Sequence, residues 1–198
     1  MKKKIPNIIT MIRIILSVVV LLLLGLPWHK FNIVWPSYMF YGKVVVELNY
    51  LLSAIIFAIA SFTDFLDGYL ARKWNVVSDF GKVMDAIADK VLVNGVLIIL
   101  AYNHNIMLMI PVVIVLRDIC VDAIKSVCGS KGKVIGASIA GKIKTIFMLI
   151  GIILVLAGNI PFEFFNLAVD QGLILIATCL SVYSGVEYFL VNKKTFME

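Results

Sequence analysis

Six long apolar stretches divide this chain of 198 residues, and no other property narrows its fold as far. They run at about Ile8–Leu26, Leu48–Tyr69, Val83–Tyr102, Met107–Val127, Ile135–Leu156 and Phe165–Val191. Each is long enough to cross a hydrocarbon core of roughly 30 Å as a helix. Hydrophobic residues make up 62% of the chain against 15% charged, and the mean hydropathy is +1.02, well beyond the apolar share of a soluble domain of this length. The expectation is an all-α, polytopic membrane protein with six transmembrane helices and one membrane domain spanning 1–198.

The opening "MKKKIPNIITMIRIILSVVVLLLL" has the basic start and apolar middle of a signal peptide. No small-x-small cleavage site follows it, so it reads as a retained first helix. With six spans both termini share a side, and the basic residues choose it, because they are held preferentially in the cytoplasm. Of the 18 lysines and arginines, only Lys30 and Lys43 fall at outer ends. Both termini are therefore expected in the cytoplasm, with the chain in the cell membrane.

The net charge of +6 then lies on one face, beside anionic headgroups, and no nucleic acid is needed to explain it. Cys120, Cys128 and Cys179 are odd in number and lack metal-site spacing, which suits packing residues. The first outer loop carries Trp28, Trp35, Tyr38 and Tyr41 and reads as an aromatic belt on the bilayer surface.

The exception to this oiliness is "SFTDFLDGYLARKWNVVSDFGKVMDAIADK", Ser61 to Lys90. Asp64 and Asp67 are three apart near the inner end of the second span, and Asp85 and Asp89 four apart near the start of the third, so each pair shares a helical face. The two spans are expected to be antiparallel neighbours joined by a short cytoplasmic turn, so both pairs converge at one depth, where four carboxylates repel unless cations sit among them. Oxygen ligands favour hard divalent ions such as Mg²⁺, Mn²⁺ or Ca²⁺, and four acids suit a pair of them. Gly68 lets a ligand approach the backbone, Arg72 offers a guanidinium for a phosphate, and Ser78 adds a hydroxyl. The group reads as a metal-pyrophosphate site.

A second basic group consists of Arg117 within the fourth span, Lys125 about two turns below it, and Lys142 and Lys144 at the start of the fifth. These mark a positive pocket facing the acids, suited to an acceptor that is itself anionic. Topological bias with side chains snorkelling to the interface is the competing account of the three lysines. Arg117 and Arg13, deeper in their spans, each require a partner.

"DFLDGYLARKWNVVSDFGKVMDAIAD" fits without a gap the signature D-x-x-D-G-x-x-A-R-x8-G-x-x-x-D-x-x-x-D, and so resembles the CDP-alcohol phosphotransferases, membrane enzymes that join a CDP-linked donor to an alcohol. The resemblance implies that Asp64, Asp67, Asp85 and Asp89 hold two divalent cations, Mg²⁺ or Mn²⁺. It makes Asp89 also the base on the acceptor hydroxyl, and Gly68, Arg72 and Ser78 contacts to the donor. "IPNIITMIRI", "ADKVLV", "GKIKT" and "SGVEYF" are similar to the bacterial branch that uses CDP-diacylglycerol and sn-glycerol 3-phosphate. This likeness places Asn7 and Thr10 at the nucleotide end. It adds Thr145 to Arg117, Lys125, Lys142 and Lys144 around the acceptor phosphate. It also implies a homodimer and an active site at the cytoplasmic face.

The chain departs from that branch at Ala86, where a proline is usual, at Lys125, where an arginine is usual, and at Asp122, an additional acid. Two other readings stay open. One is a transferase of the same family with another acceptor, such as inositol phosphate or serine. The other is a cation transporter, which would more naturally carry its acids near mid-bilayer or on discontinuous helices.

Overall fold

A computed structural model describes residues 5–40, 42–73, 79–131, 136 and 138–197; within its helices, the side chains of 5–7, 67, 69–72, 79–80, 82–83 and 194–197 lie outside the described set. The helices are α1 (Ile5–Gly25), α2 (Leu48–Lys73), α3 (Asp79–Tyr102), α4 (Met109–Ser130), α5 (Ile139–Leu156) and α6 (Val169–Met197). Among the described residues, four are long and apolar enough to cross a membrane, over Ile8–Gly25, Leu48–Leu66, Ile139–Leu156 and Val169–Lys193. The expectation of six spans differs at α3 and α4, which carry charge along one half: Asp85, Asp89 and Lys90 in the first half of α3, and Arg117, Asp118, Asp122 and Lys125 in the second half of α4.

Helix accounts for 80% of the described residues, which are not purely helical. The loop between α1 and α2 folds into an antiparallel hairpin of β1 (Ser37–Phe40) and β2 (Val44–Glu47), in register from Ser37 opposite Glu47 to Phe40 opposite Val44. Alternation in "VVVE" drives it: Val44 and Val46 are buried while Val45 and Glu47 are exposed. Beside the hairpin Trp28 meets Trp35 edge to face, with ring centroids 5.6 Å apart.

The helices form two groups of three. In one, α1 packs along both α2 and α3, which barely touch each other; in the other, α6 packs along both α4 and α5. The groups meet where α2 lies on α5 and α3 on α4. The expected direct pairing of α2 with α3 is thus replaced by an arrangement with α1 between them. A shared core of Leu24, Phe57, Val96, Leu97, Ile114, Met148, Ile152 and Ile174 joins the groups. At the end of the bundle bearing the hairpin, Asn103 donates to the Tyr50 hydroxyl at 2.9 Å, and Gln171 to the Asn105 carbonyl at 2.8 Å. Asp64, Asp85, Asp89, Arg117 and Asp118 lie toward the other end.

The α5–α6 crossing is close because Gly151 has no side chain; a Cβ there would come within 2.7 Å of Ile174 Cγ1 and 3.3 Å of its backbone nitrogen. Gly151→Val is expected to force these helices apart at a cost of about 1–3 kcal/mol. Thermal unfolding in detergent should show a clearly lower Tm for this variant. Gly172→Ala, with nothing within 4 Å of the added atom, should leave it unchanged.

Candidate active site

Arg13 is fully buried on α1, in an apolar bundle where an unpaired guanidinium would be costly. Its Nη1 donates to Asp64 Oδ1 on α2 and, at 2.6 Å, to Asp85 Oδ1 on α3. One nitrogen therefore marks the point at which carboxylates from two different helices converge. The donor set at that point is oxygen only and already accommodates a cation, so these residues fit a hard divalent ion.

Among the described residues, no three acidic, imidazole or thiol groups close around one position. The side chains of Asn7, Asp67 and Arg72, and Ser78 altogether, lie outside that set. Thr10, also buried, precedes Arg13 by three residues and so shares its face of α1. Gly68 is half-buried one turn beyond Asp64.

Asp89 follows Asp85 by one turn of α3, a rise of about 6 Å. It lines a different space, a cavity of about 200 Å³ whose walls include Arg117, Asp118, Lys125, Lys144, Thr145 and Tyr188. A narrow continuation of about 30 Å³ runs inward past Asp89, Asn94 and Lys144 toward Met148. Asp89 and most of the basic group thus line one cavity, apart from the point where Asp64 and Asp85 meet. Lys142 is not on this wall and is exposed. Two residues apart on a helix is about 200° of rotation, so Lys142 and Lys144 cannot both face inward; Lys142 is the residue to drop.

Arg117 is held by α6 as well as its own helix. Its Nε donates to the Ser181 carbonyl at 3.1 Å, Nη2 to Ser184 Oγ at 2.7 Å, and Nη1 to Asp118 Oδ1 at 3.0 Å. The same Asp118 oxygen accepts from Lys144 Nζ at 3.2 Å, linking α4 to α5. Gly185 makes room for the arginine, since a Cβ there would lie 3.0 Å from Arg117 Cγ.

At the rim Lys90 pairs with Asp122, so the additional acid binds the lysine that follows Asp89. Lys125 has no carboxylate partner among the described residues; its ammonium stands 5.5 Å from the centroid of the Tyr188 ring. Four cations and three carboxylates line the cavity, leaving it suited to an anion.

Sequence reasoning missed Ser181, Ser184, Gly185 and Tyr188. Their spacing is the available signal: they recur at i, i+3, i+4 and i+7, a polar and small stripe along one face of an otherwise apolar helix.

The sequence profile described as CDP-alcohol phosphatidyltransferase matches residues 3–183. Curated relatives named CDP-diacylglycerol–glycerol-3-phosphate 3-phosphatidyltransferase include one from Bacillus subtilis, 35% identical over 189 residues and covering 94% of each chain. One from Mycoplasma pneumoniae is 39% identical over 155 residues, 77% of this chain and 67% of its own. One from Rickettsia typhi is 31% identical over 195 residues, 98% of this chain and 99% of its own.

Arg13→Gln should leave Asp64 and Asp85 facing one another without a cation. The expected loss is about 1–3 kcal/mol, below the range for a fully buried pair because both carboxylates are nearly half exposed. Thermal unfolding in excess chelator should show this loss, and millimolar Mg²⁺ should recover more of the Tm in the variant than in the parent.

Proposed function

This chain belongs to the CDP-alcohol phosphatidyltransferase family, and we propose that it transfers the phosphatidyl group of CDP-diacylglycerol to sn-glycerol 3-phosphate, releasing CMP. One observation carries the reading: an acid pair that converges on a cation and a cavity lined by cations lie one helical turn apart on α3, with Asp89 on the cavity wall. A pyrophosphate and an anionic acceptor can thus be held side by side. The names of the curated relatives agree with this pairing of substrates.

Asp64, Asp67, Asp85 and Asp89 would hold two divalent cations, Mg²⁺ or Mn²⁺. These ions, when bound, supply positive charge against the pyrophosphate and the charge that grows on it. Asn7, Thr10, Gly68, Arg72 and Ser78 contact the donor. Its acyl chains remain in the inner leaflet while its headgroup reaches the inner ends of α1, α2 and α3. Arg117, Lys125, Lys144 and Thr145 bind the acceptor's phosphate and turn its free hydroxyl toward Asp89.

Asp89 takes the hydroxyl proton as the new O–P bond forms to the lipid-side phosphorus. The bond from that phosphorus to the bridging oxygen breaks, and CMP leaves with the bridging oxygen on its phosphate. Arg72 offsets the charge on the departing group.

This chemistry needs a cytoplasmic site, and the topology that provides it is a single six-span domain with both termini in the cytoplasm. The exposed apolar residues Ile87, Val91 and Ile98 on α3, and Val112, Leu116 and Ile119 on α4, support two further lipid-facing spans despite their charged inner halves.

CMP release from CDP-diacylglycerol, measured with a panel of acceptors, tests the reading. Glycerol 3-phosphate should be used far better than glycerol, inositol or serine; equal use of an uncharged acceptor would overturn the assignment. Asp89→Asn should reduce turnover by about 10²–10⁴-fold. Lys144→Gln removes a charge-assisted contact and should lower kcat/KM for glycerol 3-phosphate about ten- to hundredfold, with the KM for CDP-diacylglycerol nearly unchanged.

A further inference from the structure

Tyr188 lines the acceptor cavity and makes two contacts beside it, and none of the chemistry above uses it. It is 5% exposed on α6, one turn beyond Ser184, and lies on the cavity wall. Its hydroxyl donates to the Gly136 carbonyl. Gly136 stands two residues before Ser138, which caps α5 by accepting from the Gly141 amide at 3.1 Å. Ser138 and Gly141 both line the cavity, and the turns that follow carry Lys144 and Thr145. The tyrosine hydroxyl therefore ties the entry of α5 to α6, on the side from which the lysine is presented. The face of the same ring lies 5.5 Å from the Lys125 ammonium, within the range of a cation–π attraction.

We propose that Tyr188 is the positioning residue of the acceptor site: its ring holds Lys125, and its hydroxyl holds the cap of α5, so that both lysines meet the acceptor's phosphate. The proposal rests on the acceptor reading above. A flexible ammonium needs something to fix it, and the two available devices differ in consequence. A carboxylate would fix Lys125 but cancel its charge, as Asp122 does for Lys90 at the rim. An aromatic face attracts the ammonium while leaving its charge uncancelled and its N–H donors available to an anion. This matters more here because Lys125 lacks the rigid fork with which an arginine organises a phosphate.

The test is the kinetics of the full-length enzyme in lipid with glycerol 3-phosphate and CDP-diacylglycerol. Tyr188→Phe deletes one oxygen and keeps the ring, so it reads the tether alone. Tyr188→Leu removes tether and ring together. Both should raise the KM for glycerol 3-phosphate, with Leu exceeding Phe by roughly two- to fivefold, while kcat and the donor KM stay within about twofold.

In a Lys125→Gln background the ring has nothing to hold, and Tyr188→Leu should then cost no more than Tyr188→Phe, a non-additivity that general loosening of the fold does not produce. The proposal is overturned if Tyr188→Phe leaves the acceptor KM at the parent value, if donor and acceptor constants worsen together, or if the Leu and Lys125→Gln effects simply multiply. Tyr188→Phe decides the tether even where Tyr188→Leu fails to fold. Lys125→Gln and Lys144→Gln alone separate the two levels of inference. If neither moves the acceptor KM, the acceptor site itself is wrong; if they do and the Tyr188 variants do not, only the role of Tyr188 falls.

Discussion

The placement of Arg13 between Asp64 and Asp85 is the contact around which the first three helices are arranged. Burying a guanidinium in an apolar bundle is unfavourable unless oppositely charged groups meet it. Meeting it from two helices requires α1 to lie between α2 and α3 and fixes their relative heights. The short link between α2 and α3 would allow them to pack directly; the charge on α1 is what the acids gather around instead. The pairing brings the two acids to one point.

The other three helices solve the same problem with different means. Arg117 and Lys144 share a single oxygen of Asp118, while Ser181 and Ser184 accept from two further N–H groups of Arg117. One carboxylate for two cations leaves positive charge uncompensated, and Lys125 adds to it without any acid of its own. A surplus of positive charge lining a cavity favours an anion there.

Much of this was legible in the sequence, for reasons that can be named. All six apolar runs stand as helices, and four of them keep a hydropathy strong enough to qualify as membrane spans because few charges interrupt them. Asp64 and Asp85 could be assigned a common destination because their spacing from Asp67 and Asp89 set the helical faces, although the identity of the helix between them could not be read. Lys142 was misplaced because proximity in sequence was allowed to stand for proximity in space, when helical phase separates it from Lys144. The hairpin was overlooked because aromatic residues masked the two-residue alternation of Val44 to Glu47. The α6 stripe was invisible for a deeper reason: serine and glycine are ordinary in membrane helices, and only the arrival of Arg117 from α4 gives these particular ones a purpose.

The division into two groups of three helices has a consequence for how such a protein can change. The acids that would handle the nucleotide donor belong to α2 and α3, drawn together by Arg13 of α1, whereas nearly all groups lining the basic cavity belong to α4, α5 and α6, with Asp89 and Lys90 the contributions from α3. Substitutions that reshape the second group can therefore redirect the chain toward a different alcohol while the machinery for opening the donor is inherited intact. An architecture of this kind separates what must stay constant from what is free to diversify, along a seam that runs between helices and not between domains.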